Sequence, residues 1–253
     1  MDDLVQTIRV QPDHVLAQVK LPSEAGVVSG LTAVGRRGVN RELVEATYCR
    51  IAAAQRREPA RTLPTLARRA FSEGSQGDPA RSNGAAFVAL SLAVVRERAE
   101  PLLPKGGELR RKCPFPEGEL SLQGRADLAK HWILSAGLTT LLGPRAAESL
   151  GEWKEMDDSR GGGSGFSFVD LAADRAGIQT ATLAVDPKIA TLTREQLSRA
   201  TDEYMLPAAL LKAPEGLSGA SFVARFGTLD RKHYRDAVSR IDRILAEQRR
   251  QPN

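Results

Sequence analysis

The sequence contains few residues of several types, and each shortage argues against particular classes of protein. Aromatic residues make up only 5% of the 253 residues. They are not interleaved with the arginines as stacking platforms, so we do not expect a nucleic-acid-binding surface. No run of about 18 apolar residues occurs, which predicts that no segment spans a membrane. The opening stretch MDDLVQTIRV has no basic region followed by an apolar one, so it does not read as a signal peptide.

Cysteine is also rare, since the chain has only Cys49 and Cys113. The absence of a CxxC spacing argues against a cysteine-based metal site. The two residues form either one disulfide, which fits an oxidising compartment, or a pair of buried thiols. The sequence leaves both readings open.

The abundant residues favour helix. Alanine and leucine are frequent and are accompanied by many arginines and glutamates, in an ordinary balance of 42% hydrophobic and 26% charged residues. The net charge of +5 and the pI of about 9.5 fit either attraction to an anionic partner, such as a cell-wall glycan or lipid, or an arginine-rich solvated surface. We therefore predict an all-α or mainly α helical bundle, preceded by a short extended or hairpin segment at 5–20.

The apolar pattern also predicts where the chain is divided. Residues 84–103 form the most apolar segment and read as a central buried helix, after a polar loop at 72–83. A glycine- and proline-rich, irregular stretch at 104–124 then suggests an N-terminal helical region at 1–110, an irregular linker at 111–124 and a second helical region at 125–253. The further predicted helices lie at 39–57, 63–72, 125–142, 144–158, 168–178, 193–212 and 229–248, and Asn40 is the expected cap of the first of these.

Ionisable residues recur at helical spacing between residues 127 and 177. The break at Gly143-Pro144 is so short that the helices on its two sides must form an antiparallel hairpin. This places the start of the first helix beside the end of the second, and a glycine-rich loop returns the third helix to the same corner. The residues expected there are Asp127, His131, Glu155, Asp158, Asp170 and Asp174.

Ionisable residues gathered at one corner have three alternative roles. All six residues could together bind a divalent metal through oxygens and one imidazole nitrogen. Alternatively, Glu155, His131 and Asp170 could act as a general acid and base, because crowded carboxylates push their pKa values apart. The third reading is a structural network with Lys154, Arg160 and Arg125 that holds three helices together.

Simpler roles compete for individual residues. Ser167 and Asp170 have the spacing of a capping box, Lys154 and Asp158 that of an i,i+4 ion pair, and Asp127 lies in a first helical turn. A triad of Ser135, His131 and Asp127 has the right residue types, yet a nucleophile in mid-helix has no oxyanion hole.

The loop before the third helix contains GGGSG at 161–165. Its Gly163, Ser164 and Gly165, with Ser167, resemble a phosphate-cradling loop, because glycine allows close backbone approach at a helix N-terminus. The Lys-Ser/Thr ending of a Walker motif is missing, however, and no strand precedes the loop. We therefore favour a tight turn that needs positive φ angles.

This segment resembles the YfiM-type family of bacterial lipoproteins, and more thinly the VanZ-like membrane proteins. The resemblance covers about a fifth of the chain and runs without a gap from 149 to 177. The residues that carry it are Asp127-Leu-Ala-Lys-His131-Trp-Ile-Leu-Ser135-Ala136, Ser149-Leu-Gly151, Lys154-Glu155, Asp158-Ser159-Arg160, Gly163-Ser164-Gly165-Phe166-Ser167, Asp170-Leu171-Ala172, Asp174 and Ala176-Gly177.

The resemblance implies a cell-envelope protein of Gram-negative bacteria, in the periplasm or at the outer membrane, and supplies no reaction. This chain departs from the family in its long flanking segments and in having neither a signal peptide nor a lipobox cysteine. The sequence thus leaves two hypotheses: an envelope protein whose pocket binds metal or hydrolyses an envelope glycan or lipid, or a non-catalytic scaffold or binding module. The oligomeric state stays open.

Overall fold

The computed structural model describes residues 39–72, 77–96, 99, 102–103 and 105–250. These residues form eleven α-helices and one 3-10 helix, with isolated β-bridges and no β-sheet among them, which confirms the predicted all-α fold. The extended segment predicted at 5–20 lies outside the described residues. The α-helices are α1 (Arg41–Arg57), α2 (Leu63–Ser72), α3 (Pro79–Val95), α4 (Gly106–Lys112), α5 (Ala126–Leu142), α6 (Pro144–Asp158), α7 (Phe168–Ala184), α8 (Ala190–Leu197), α9 (Asp202–Met205), α10 (Gly219–Phe226) and α11 (Lys232–Arg250), and the 3-10 helix is Ala208–Lys212.

Several helices begin where a short polar side chain caps them. Asn40 Oδ1 accepts a hydrogen bond from the Leu43 amide at 3.1 Å at the start of α1, as the sequence predicts. Asp78 does the same at the start of α3, where Pro79 occupies the first turn. These caps satisfy backbone amides that have no partner inside the helix.

The structure corrects several predicted boundaries. The polar stretch 72–83 is not all loop, because Asp78 and Pro79 start α3 within it, and α3 ends at Val95 rather than at 103. The predicted helix 193–212 is instead α8, α9 and the 3-10 helix, because Thr201 caps a new helix. The irregular stretch 104–124 contains the short helix α4.

The hairpin of α5 and α6 is confirmed, and α5 lies at the centre of the bundle. It packs against α3, α6 and α7. The approach of α5 to α7 is close because Gly177 has no side chain: a Cβ there would lie 2.1 Å from the Trp132 carbonyl oxygen. One buried hydrophobic core includes residues on both sides of the stretch 111–124. The division of the chain at that stretch stays a prediction.

Cys49 and Cys113 form a disulfide, which decides between the two readings of the sequence. The bond joins α1 to the end of α4 across 64 residues of sequence. Within the described part of the chain, no helix is both long and apolar enough to cross a membrane.

Removing the disulfide is expected to destabilise the fold, since the cross-link restricts the unfolded chain. Replacement of Cys49 and Cys113 by alanine together should lower the free energy of unfolding by about 3 kcal/mol. Urea unfolding of the double variant and of the oxidised parent measures this difference. Equal stability of the two proteins would show that the cross-link does not constrain the unfolded chain.

Candidate metal centre

Three helices bring His131, Glu155 and Asp174 together, as the hairpin argument predicts. His131 lies on α5, Glu155 in the last turn of α6, and Asp174 on α7. One ligand atom from each residue lies within 4.8 Å of the other two. A tetrahedral zinc ion separates its nitrogen and oxygen ligands by about 3.3 Å, so a modest closure of the group would surround an ion.

Asp174 is held between two partners on α5. Its Oδ1 lies 3.2 Å from His131 Nδ1 and accepts a hydrogen bond of 2.7 Å from Ser135 Oγ. Ser135 is therefore bonded to the carboxylate and not to the imidazole, so a Ser-His-Asp triad is not formed. Instead, the serine hydroxyl orients the carboxylate toward His131.

Glu155 is completely buried, with 0% of its surface exposed. Its Oε2 accepts a hydrogen bond of 2.8 Å from the Ser167 amide. Its Oε1 is also buried and has no hydrogen-bond partner among the described residues. An unsatisfied buried carboxyl oxygen costs free energy, and in native structures such an atom calls for an explanation such as an ion.

The environment of Glu155 favours its neutral form. Burial raises the pKa of the carboxyl, and the charges of Asp170 and Asp174 raise it further, against the opposing effect of His131. The resulting pKa is about 8. Near neutral pH, Glu155 therefore carries a proton when no cation is bound.

The environment of His131 favours its charged form. Burial lowers the pKa of the imidazole, but the charge and hydrogen bond of Asp174, with Asp170 and Glu155, outweigh burial and raise it to about 9. Near neutral pH, the imidazolium and Asp174 form an ion pair. A cation entering the group would displace the protons on His131 and Glu155 and take over their electrostatic role.

Asp170 lies at the edge of this group. Its backbone amide donates to Ser167 Oγ at 3.0 Å, so half of the predicted capping box is present. The other half is missing, because the Ser167 amide donates to Glu155. The Asp170 carboxylate is thereby directed elsewhere: Oδ2 lies 3.8 Å from His131 Nε2, and Oδ1 lies 3.5 Å from Arg125. Burial raises the pKa of this carboxyl.

The other two predicted acids lie outside the group of three. Asp127 accepts two hydrogen bonds from Arg125, which also binds Glu215. Asp158 pairs with Lys154 on the same helix, as one of the simpler readings predicts. Arg125 does reach Asp170, but Arg160 pairs with the exposed Asp157, so the predicted network is only partly formed.

The glycine-rich loop is a tight turn, and the local geometry explains two of its glycines, Gly163 and Gly165. Gly165 has a φ of 90° and donates its amide to the Asp158 carbonyl at 2.9 Å. A Cβ on Gly163 would lie 2.2 Å from the same carbonyl oxygen. Ser164 Oγ donates to the Asp158 carboxylate at 3.3 Å, and Ser167 caps α7. The loop thus fixes the end of α6 against the start of α7.

Among the described residues of this group, His131 and Asp170 keep the most exposed side-chain surface. The His131 and Asp170 side chains remain 16% and 12% exposed. The Asp174 side chain is only 4% exposed. The part of the group nearest to solvent is therefore the edge formed by His131 and Asp170.

Gly151 on α6 makes room for the Asp174 side chain. Because glycine carries no charge, the pattern of ionisable residues in the sequence does not point to it. A Cβ on Gly151 would lie 2.9 Å from Asp174 Oδ2. Gly151→Ala is therefore expected to push the carboxylate from His131 and lower the pKa of the imidazole by about one unit. NMR titration of His131 measures this, with Ser149→Ala on the same helix as the control. An unchanged His131 titration would mean that Asp174 tolerates the extra methyl group.

Comparison of the chain with protein-family models, curated proteins and solved structures finds no match. The resemblance to the YfiM-type family stays a prediction.

Proposed function

We propose that this protein binds one divalent metal ion through His131, Glu155 and Asp174, with Asp170 beside the ion at the exposed edge. The observation that carries the proposal is Glu155 Oε1, a buried carboxyl oxygen without a hydrogen-bond partner among the described residues. It belongs to the carboxylate that joins an imidazole and a second carboxylate in one group within 4.8 Å. A bound cation would satisfy this oxygen.

The ligand types indicate which metals fit. One imidazole with carboxylate oxygens suits Zn²⁺ or Mn²⁺ better than Ca²⁺, which takes six to eight oxygens. The two protons held by His131 and Glu155 near neutral pH must leave when the ion enters. Metal binding is therefore stronger at higher pH.

The exposed edge supports a catalytic use of the ion. An open coordination position on that side would accept a water molecule or a substrate oxygen, with Asp170 within reach as a proton acceptor. Glu155 is too deeply buried to touch a substrate, so we assign it to the metal. The reaction class we propose is metal-assisted hydrolysis, with an envelope glycan or lipid as substrate.

An envelope location is part of the same proposal. The Cys49–Cys113 disulfide supports it, because structural disulfides persist mainly in oxidising compartments. The resemblance to the YfiM-type family points to the same compartment.

A structural network is the second candidate. The near-complete burial of Glu155 and Asp174 favours it, because such a closed group can hold three helices together without any ligand. In that case a neutral Glu155 is a permanent feature, and no metal binds.

Thermal unfolding with and without EDTA, followed by addition of Mg²⁺, Ca²⁺, Mn²⁺ or Zn²⁺, distinguishes the two candidates. At about 100 times its Kd, an ion adds about 2.7 kcal/mol to stability. For a chain of this size we expect a rise in Tm of roughly 5 to 10 °C.

Glu155→Gln provides the sharpest variant in the same assay. Because Glu155 is already neutral near pH 7, replacing its carboxyl group by an amide should leave the Tm of the metal-free protein almost unchanged. The metal-induced rise in Tm should disappear. Glu148→Gln on the same helix is the matched control and should keep the rise. If no metal stabilises the parent protein, the metal proposal fails and the structural network stands.

A further inference from the structure

A second candidate site lies away from the metal centre, in a cleft of about 400 Å³ between α1, α3 and α4. Its lining includes three arginines and two aromatic rings. Small-molecule sites commonly have volumes of about 300 to 1,000 Å³ and combine apolar walls with a few polar groups. The residues that carry the argument are Tyr48, Arg96, Arg110, Arg111, Phe115 and Glu117.

The disulfide fixes the walls of this cleft. Tyr48 precedes Cys49 on α1, and Phe115 follows Cys113 by two residues. The two rings lie 6.5 Å apart between centroids, so the covalent bond ties together the chain segments that carry them. Walls that are fixed in advance reduce the entropy lost when a ligand binds.

Among the described residues, the lining of the cleft contains three arginines and one carboxylate, Glu117, so these lining side chains together carry positive charge. Arg96 donates to the Pro116 and Gly118 carbonyls at 3.3 and 3.4 Å, which holds its guanidinium in place. Burial raises the pKa of Tyr48, and the charges of Arg110 and Arg96 oppose that rise, so both guanidinium groups act on the floor of the cleft.

We propose that this cleft binds an organic phosphate whose planar or apolar part rests against Phe115, beside the buried ring of Tyr48. A guanidinium donates two parallel hydrogen bonds to a phosphate, which a compact ammonium cannot do, so an arginine-lined cleft is suited to this anion. The partly exposed Phe115 ring supplies an apolar surface for the rest of the ligand. The same chemistry is offered by a soluble phosphomonoester and by a phospholipid headgroup.

The first experiment titrates the oxidised full chain with phenyl phosphate and follows binding by calorimetry or NMR, with EDTA present so that the metal centre plays no part. We expect saturable binding, about tenfold weaker in Arg110→Gln and in Arg111→Gln, because each loses a charge-assisted hydrogen bond. Arg145→Gln makes the same charge change outside the cleft and should bind like the parent. Neutral benzyl alcohol should bind far more weakly than phenyl phosphate.

The second experiment distinguishes the sources of the phosphate. Vesicles containing phosphatidic acid should compete with phenyl phosphate if a lipid headgroup is the ligand, and should not compete if the ligand is soluble. Reduction of the disulfide should weaken binding in either case, with circular dichroism confirming that the helices remain. The proposal is overturned if phenyl phosphate does not bind at millimolar concentration, or if Arg145→Gln weakens binding as much as the cleft variants.

Discussion

Raising the pH from about 5 to about 9 is expected to lower the stability of the metal-free protein by several kcal/mol. Two buried groups cause the loss. Glu155 has its pKa raised from 4.5 to about 8, and His131 from 6.5 to about 9. For each, the folded chain holds a proton that the unfolded chain has already released. The stability that each contributes is complete below its unfolded pKa and is lost as the pH rises through its folded pKa.

The sign of this effect is unusual for a carboxylate. Acids paired with cations, such as Asp127 beside Arg125, have a lowered pKa and stabilise a protein as pH rises from acid. The stabilisation that such acids provide is already complete at about pH 5, so it does not change between about pH 5 and 9. The raised pKa of Asp170, which burial causes, adds to the loss in the same direction as Glu155.

Urea unfolding in EDTA at a series of pH values measures this dependence. Glu155→Gln removes the contribution of one group, so its stability should fall less steeply between about pH 5 and 8 than that of the parent. Excess Zn²⁺ should reverse the trend, because the ion replaces the protons. A stability that stays level or rises over this interval would contradict the charge states assigned to Glu155 and His131.

Gly177→Ala is the single substitution from which we expect the largest loss of stability, about 4 kcal/mol or more. A Cβ at this position would lie 2.1 Å from the Trp132 carbonyl oxygen and 3.3 Å from the Ala136 amide nitrogen. Both atoms belong to the backbone of α5, so no side-chain rotation relieves the contact. The helices α5 and α7 must separate, which also draws His131 away from Asp174.

Chemical unfolding of Gly177→Ala and of Gly161→Ala tests this expectation. Gly161 is the matched control because, among the described residues, no atom lies within 4 Å of a Cβ placed there. The control should be as stable as the parent to within about 0.5 kcal/mol. Parent-like stability of Gly177→Ala would mean that the two helices are not held in close contact.

The sequence predicted those features that depend on residues close to one another along the chain. The Asn40 cap, the hairpin at Gly143-Pro144 and the Ser167 cap are local, and the structure has all three. The convergence of His131 and Glu155 followed from the hairpin, because a short connection leaves few ways to pack two helices.

The features that the sequence did not predict depend on which of several nearby groups each carboxylate contacts in the folded protein. Asp127 has the helical spacing of a ligand, but Arg125 binds its carboxylate. For Asp158 the sequence offered both a ligand role and an ion pair with Lys154, and the structure forms the ion pair. The complete burial of Glu155 and the use of the Ser167 amide by its carboxylate need the position of α7, which spacing alone does not give.

The metal content of the protein shows whether His131, Glu155 and Asp174 hold an ion, as proposed. The protein is loaded with Zn²⁺ or Mn²⁺ near pH 8, dialysed against metal-free buffer, and analysed for the element per chain. We predict one ion per chain in the parent and in Glu148→Gln, and none in Glu155→Gln or Asp174→Asn. The proposed metal site is wrong if the parent protein retains no metal, or if the ligand variants retain as much metal as the parent.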